Sequence, residues 1–296
     1  MTMTEAINAE GRLIHTLPLL LRQESLSVDL AMIENCLRSL ALSPERSVII
    51  YNQGCIANEE LQQLTSQWGI EARILGDGRN IGIAQARQAC FEYIWRELPQ
   101  TAWVSEIHVD MIFPAHWYAP LLRYLQTSQE PMISPGIVTA SGVMQPLEQQ
   151  TAVPSDIEGW LELLPTLSRE GVVYGFVHPV IHRNEALRAI GGYDIRLLQG
   201  KQGFEDDSLL VGYSYYIGTR QRWRPLICLQ SWVYHATLAQ RMSMPDKLDD
   251  FARNEVGLVA QYGIQGLREL ARVHDRPATF LGLAQKYMSS QKGLGI

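Results

Sequence analysis

Three short stretches of this 296-residue chain hold side chains able to bind a cation and move a proton. The first is His108-Val109-Asp110, at the end of an apolar run that begins at Ala102 and stops before Pro114. In an extended chain residues two apart share a face, so the imidazole and the carboxylate are expected to leave a strand end together, placed to hold a divalent cation and a phosphate. The second is Gly203-Phe-Glu-Asp-Asp-Ser208, where Glu205 or Asp206 can serve as a general base. The third is His235, closing the apolar Trp232-Val-Tyr-His235. Each has a plain structural reading as well: a polar triplet after a strand is commonly a turn, and acidic residues in a first helical turn complement the helix dipole. Convergence requires strand ends gathered on one side, as at the carboxyl edge of an open α/β sheet.

The loop Gly76-Asp-Gly-Arg-Asn-Ile-Gly82 is a further candidate. Its glycines let a ligand approach the backbone, Arg79 and Asn80 supply donors, and a helix start behind it offers free amides, all suited to phosphate or ribose. It reads equally as an Asp-Gly turn in which Gly82 opens the helix.

The elements that must position these groups follow from periodicity. Apolar runs at 12–17, 48–51 and 72–75 predict strands, the first ended by Pro18. Helices are expected over 28–42, with Leu30, Ile33, Leu37 and Leu40 on one face, and over 59–68, capped by Asn58. A longer helix runs from Gly82 with Ile83, Ala86, Cys90, Ile94 and Leu98 at spacings of three and four. This alternation predicts βαβ units, a mainly parallel α/β sheet with helices on both faces, and a fourth strand delivering His108 and Asp110.

Further on, a helix to about 125, a strand over 131–138 and a mobile polar excursion over 139–154 are expected. A strand over 171–178, a short helix capped by Asn184, a turn at 190–194 and strands over 226–229 and 231–234 follow. From Pro245 the pattern is helical, over 246–262, 265–273 and 278–289. There Leu248, Phe251, Ala252, Val259 and Tyr262 form an apolar stripe for the main domain or a second subunit. Residues up to about Ala9 read as a flexible lead-in.

An apolar fraction of 46%, 19% charged residues and a net charge of -6 without a Lys/Arg run describe an ordinary globular protein and argue against nucleic acid or an anionic membrane as partner. The four cysteines, Cys36, Cys55, Cys90 and Cys228, form no Cys-x-x-Cys pair and read as thiols of a reduced compartment. The apolar stretch 17–21 is too short to span a bilayer and no secretory leader is evident, so a cytoplasmic location is expected.

Four stretches together resemble the GT-A-fold, nucleotide-sugar-dependent glycosyltransferases of the large family-two type, over roughly residues 11–240. They are 79–87, 108–117, 189–194 with 204–207, and 233–235. The resemblance implies a catalytic domain over 1–240, with a nucleotide-binding half at 11–115 and an acceptor half at 116–240, followed by a helical extension over 241–296. Asp110 matches the last carboxylate of the family's Asp-x-Asp motif, which holds Mn²⁺ or Mg²⁺ on the diphosphate, and His235 matches a histidine that completes the metal shell. His108 stands where the family usually carries an acid, as a third ligand or a nucleotide contact. Asn80 and Gly82 match the nucleotide-facing loop, to which Asn52, Asp77 and Arg79 are joined. Asp206, or its neighbour Glu205, matches the catalytic carboxylate, and Gly191 and Gly192 match the turn that shapes the acceptor side.

Trp117, Trp160, His178 and Tyr193 are the aromatic candidates for an acceptor sugar, with Gly192 beside them. The implied reaction moves a sugar from a nucleoside-diphosphate donor to a hydroxyl of a glycan, lipid or protein, with inversion expected and retention open. Asn52 in place of the family's acid leaves uridine, guanosine and thymidine diphosphate sugars open. The C-terminal helices are candidates for a homodimer contact. A catalytically silent carbohydrate-binding or assembly module of the same fold is one alternative. A nucleotidyltransferase is another, although Pro18-Leu-Leu-Leu-Arg22 stands where many of those enzymes carry a lysine-rich loop.

Overall fold

The computed structural model describes residues 12–237 and 247–292; the expected lead-in and the boundary near 240 lie outside the described residues. Strands β1 (Arg12–Leu19), β2 (Ser47–Asn52), β3 (Glu71–Leu75) and β4 (Thr101–Glu106) pair in parallel in the order β3-β2-β1-β4. Helices α1 (Leu26–Leu40), α2 (Asn58–Gln67) and α3 (Ile83–Glu97) make the crossovers. Alternate strand residues serve two cores. Leu13, Leu17, Val48 and Ile50 pack with Ile33, Leu37 and Leu40 of α1, while Ile14, Ile49 and Val104 pack with Cys90, Phe91 and Ile94 of α3. This double burial is why the strands read as continuous apolar runs.

Pro18 does not end β1. The pairing with β4 stops at Thr16↔Glu106, while β2 stays paired through Leu19↔Asn52, so the absent N–H costs no bond to β4. Nor do Asn58 and Asn184 cap their helices. Each is the first helical residue and ties across instead, Asn58 Nδ2 to Gly76 O at 3.0 Å and Asn184 Nδ2 to Thr101 O at 2.7 Å.

Past β4 the sheet becomes mixed. After β5 (Met111–Ile112) and α4 (Ala119–Thr127) comes β6 (Met132–Val138). The stretch expected as a mobile excursion forms a hairpin, β7 (Val143–Gln145) with β8 (Gln149–Gln150), and α5 (Ile157–Thr166) follows. The strand expected over 171–178 is only β9 (Val172–Tyr174), the chain leaving the ladder ahead of Pro179. Then come β10 (Val180–Arg183), α6 (Asn184–Ala189), α7 (Glu205–Ile217) and β11 (Leu226–His235). The strand order is β3-β2-β1-β4-β10-β6-β11-β5, with β10 antiparallel to both neighbours and β6 parallel to β11.

Helices α8 (Lys247–Val273) and α9 (Pro277–Lys292) complete the described chain. Gly263 breaks α8 with φ 63° and ψ −168°, between the two helices the sequence predicts. The expected stripe turns inward only in part: Val259 and Tyr262 pack half-buried on the core and Phe251 meets Phe204 at 6.1 Å, while Ala252 is exposed and Leu248 is 78% exposed. Buried instead are Asp250, Asn254, Gly257, Leu258, Leu267 and Leu270. Asn254 explains the misreading: its amide bonds Gly200 N at 2.7 Å, Gly200 O at 3.2 Å and Gly203 O at 2.8 Å, so a polar residue is inside because loop backbone needs it there. Leu258, Leu267, Leu270 and Phe280 share one core with Leu209, Val211 and Tyr213 of α7. Among the described residues no helix is long and apolar enough to cross a membrane.

His15 lies within β1 fully buried, with Nδ1 2.6 Å from Ser105 Oγ and Nε2 3.1 Å from Glu45 O. Burial pushes its pKa down to about 4, against a smaller opposing effect of the Glu45 carbonyl. The folded protein therefore binds this proton less readily than the unfolded chain, so stability is full above the ordinary value of 6.5 and declines as pH falls through 6.5 toward 4. Urea midpoints across this range are expected to fall in the wild type and to fall less in His15→Gln; equal slopes would remove His15 as the cause.

Candidate active site

Parallel β4, β6 and β11 end at one edge, and antiparallel β10 begins there. That polarity gathers four segments: the turn after β4, the end of β11, the residues before β10 and the start of α7. Regular strand ends at Glu106, so His108 and Asp110 are aligned by a turn into β5 and not by strand alternation as the sequence suggests. The Cys36 thiol, donating to His108 O at 3.6 Å, ties that turn to α1.

The turn brings His108 and Asp110 to His235, one nitrogen or oxygen of each lying within 4.8 Å of the others. His235 Nδ1 donates to His178 O at 3.1 Å, which turns its Nε2 lone pair toward Asp110 Oδ1, 3.5 Å away. The His108 ring stacks on His178 at 4.7 Å and meets His235 edge-on at 5.1 Å. Its Nε2 accepts an N–H from Arg87, so that lone pair is committed to the guanidinium. Asp110 and His235 fit a divalent cation directly. An oxygen and an imidazole nitrogen suit Mn²⁺ better than Mg²⁺, which favours oxygen ligands.

Arg87 is the centre of the charge network. Its side chain is 0% exposed, with Nε 2.9 Å from Glu106 Oε2, itself 0% exposed. This contact is a close ion pair without hydrogen-bond alignment. Nη1 donates to Asp206 Oδ1 and to Tyr193 Oη, each at 3.2 Å. Glu106 also accepts from Tyr193 Oη at 2.9 Å and from His182 Nε2 at 2.7 Å, and His182 Nδ1 accepts from Tyr213 Oη at 2.8 Å. Burial alone would raise the Glu106 pKa, but Arg87, then His182, outweigh it and hold it down at about 2. Burial likewise opposes the charge on Arg87, which Glu106, Tyr193, Asp206 and Glu205 together restore.

The start of α7 separates its three acids. Glu205 is 1% exposed, and Asp207 pairs with His274 at 2.7 Å. Asp206 is 27% exposed while accepting from both Arg87 and His178, the latter at 3.0 Å. It is the acid of the three that combines access with fixed orientation.

Other sequence candidates have structural work. Asn52 is 1% exposed and spends its amide on its own loop, donating to Ile56 O at 3.0 Å and Asn58 Oδ1 at 2.8 Å and accepting from Gly54 N at 2.9 Å, which leaves it no donor for a base edge. In the glycine loop, Ile81 N donates to Gln53 Oε1, Gly82 N to Asn80 Oδ1 and Ile83 N to Lys201 O, at 3.0, 3.0 and 2.9 Å. Three of the amides at this loop and helix start are thus already used. Gly82, at φ +90°, allows Lys201 Cα within 2.7 Å of where a Cβ would stand. Asp77 and Arg79 are exposed on the same loop and pair with each other at 2.9 Å.

The acceptor candidates divide similarly. Trp117 is 2% exposed and packs on Phe113 at 5.0 Å and His15 at 6.0 Å, so its ring serves the core and not a sugar. Tyr193, also 2% exposed, stacks on Phe91 and belongs to the Arg87 network. At Gly192 a Cβ would come within 2.3 Å of Gln88 Oε1, which makes it a packing position. His178 lies in the cluster, between His108 and Asp206.

Sequence reasoning missed Arg87, Glu106 and His182 as the groups that organise the site. Signals were present: Arg87 falls in the buried register 87, 90, 94 of α3, and Glu106 ends an apolar strand. Two opposite charges at buried positions imply each other.

No protein-family model and no curated protein matches the sequence. Solved structures match the fold. S. aureus TarS aligns with a TM-score of 0.55 at 11% identity, over 88% of this chain and 42% of its own. TarS 1-349 in complex with UDP-GlcNAc gives 0.54 at 10% identity, over 88% and 71%. GalNAc-T7 with UDP, GalNAc and Mn²⁺ gives 0.51 at 14% identity, over 77% and 43%. The chain therefore spans less than half the length of the full TarS and GalNAc-T7 chains. It has the GT-A fold of the nucleotide-sugar glycosyltransferases.

Proposed function

We propose that this chain is a metal-dependent glycosyltransferase that moves a sugar from a nucleoside-diphosphate donor to an acceptor hydroxyl. The observation that carries the reading is the convergence of His108, Asp110 and His235 at the sheet edge that also holds Asp206. A divalent cation, Mn²⁺ before Mg²⁺, would offset the charge developing on the leaving diphosphate. Asp110 and His235 would hold it, and His108 orients Arg87. Asp206 takes the acceptor proton as the hydroxyl oxygen bonds to the anomeric carbon and the bond to the diphosphate breaks, with inversion. The nucleotide lies along the loops after β2 and β3, where Asp77 and Arg79 are exposed. Solved relatives of this fold carry UDP-GlcNAc, or UDP, GalNAc and Mn²⁺, which supports the donor class and the metal. The unpaired cysteines support a cytoplasmic site of action. Leu248 and Val256, 78% and 58% exposed on α8, are the basis for a homodimer contact.

Uridine, guanosine and thymidine diphosphates with Mn²⁺ test the donor site by thermal shift. One of them, at a hundred times its dissociation constant, is expected to add about 2.7 kcal/mol of stability. The gain should vanish without Mn²⁺ and in Asp110→Ala. No shift with any nucleotide would remove the donor-site assignment. One observation favours a second reading, a binding module without turnover: His108 brings no negative charge and its Nε2 is engaged by Arg87. That reading predicts the same shift without release of nucleoside diphosphate when donor and acceptor are mixed.

A further inference from the structure

A cavity of about 220 Å³ opens beside Asp110, walled by α1, β5, α5 and the end of β11. Its composition differs from the charged cluster next to it. One wall carries Trp160 and Tyr234, their ring centroids 4.3 Å apart and tilted by 36°. Trp160 is buried and Tyr234 half-buried. The remaining lining includes Met32, Asn35 and Asp156 as well as Asp110. Asp156 Oδ1 caps α5, accepting from Gly159 N at 2.9 Å. The half-buried Asn35 amide makes no hydrogen bond among the described residues and is available to a ligand.

We propose that this cavity binds a pyranose of the acceptor, making the acceptor a carbohydrate. Pyranoses present C–H faces to aromatic rings and hydroxyls to amides and carboxylates, which is the combination of groups here. The loops after β2 and β3, where the nucleotide is proposed to lie, stand at one end of β3-β2-β1-β4-β10-β6-β11-β5, and this cavity lies at β11 and β5, the other end. Asp110 is the residue common to the cavity and the candidate cation cluster, so a sugar seated in the one borders the other. Trp117 and Tyr193 are buried in the core and Trp160 in its own cluster with Ile157 and Leu164, so the aromatic ring open to the sugar is that of half-buried Tyr234, with Trp160 packed behind it. The acceptor role rests on the transferase reading; sugar binding by the cavity does not.

Saturation-transfer NMR on the full chain, with methyl glycosides of glucose, galactose, mannose and N-acetylglucosamine, tests it. At least one glycoside is expected to bind the wild type. Binding should weaken about fivefold in Asn35→Ala, the effect of one lost hydrogen bond, and disappear in Met32→Trp, which fills the cavity. Thermal unfolding without ligand confirms that both variants fold, and their response to nucleoside diphosphate with Mn²⁺ should match the wild type. A glycoside signal indifferent to both substitutions overturns the proposal, as does no signal from any of the four sugars. Variant-sensitive sugar binding in a protein that ignores every nucleotide supports the cavity and removes only the transferase reading.

Discussion

Replacing Arg87 with alanine is expected to destabilise the fold by about 3–5 kcal/mol, the usual consequence of stripping one partner from a buried ion pair. That is a large part of the roughly 5–15 kcal/mol that holds a domain together. The reason lies in what stays behind. Glu106, 0% exposed, would keep its charge with only Tyr193 and His182 as donors, and Asp206 and His108 would lose a common anchor. Arg87→Met combined with Glu106→Gln should recover part of the loss, because no uncompensated charge remains. Urea unfolding measures both variants, and a loss below about 1 kcal/mol in Arg87→Ala would show that the network is not a keystone.

The same pair sets an acid limit. Glu106 is held at about 2, below its ordinary 4.5, so the stability it contributes is complete above pH 4.5 and is lost as pH falls from there toward 2. Glu106→Gln should be less stable at neutral pH and flatter through that window. The His15 effect begins at higher pH, so the two can be separated.

Asp206→Asn is expected to lower kcat by about 10²–10⁴, the typical contribution of a general base, with the KM for the donor little changed. Asparagine keeps the shape and can still accept from Arg87 and His178, but it cannot take a proton. Asp207→Asn should leave kcat near the wild type, since Asp207 faces His274 and not the cluster. Unfolding measured beside the kinetics separates a chemical defect from a structural one. If Asp206→Asn keeps more than about a tenth of the wild-type kcat, the base lies elsewhere.

The local sequence determined a good deal of this protein. Apolar runs punctuated by amphipathic helices set the four parallel strands and their crossovers, since side-chain period reports which face of an element is buried. Gly263 marked the break in α8, and the residue types in His108-Val-Asp110, Glu205-Asp206 and His235 marked groups that the fold brings together at one sheet edge. Such signals are local, and a short window contains them whole.

What only the tertiary structure decided were pairings between distant elements. Nothing near Asn254 in sequence announces that the loop at 200–203 needs its amide, so α8 looked as if it should bury Leu248 instead. Asn52 has the residue type of a nucleotide contact, yet its amide is used on Gly54, Ile56 and Asn58 close by in the chain. Of the three acids opening α7, the fold alone left Asp206 partly open, because Asp207 found His274 just past α8 and Glu205 turned inward. Periodicity fixes the direction of a side chain relative to its own helix or strand. The partner it meets depends on how elements far apart in sequence are set against each other, and that follows from packing the whole chain.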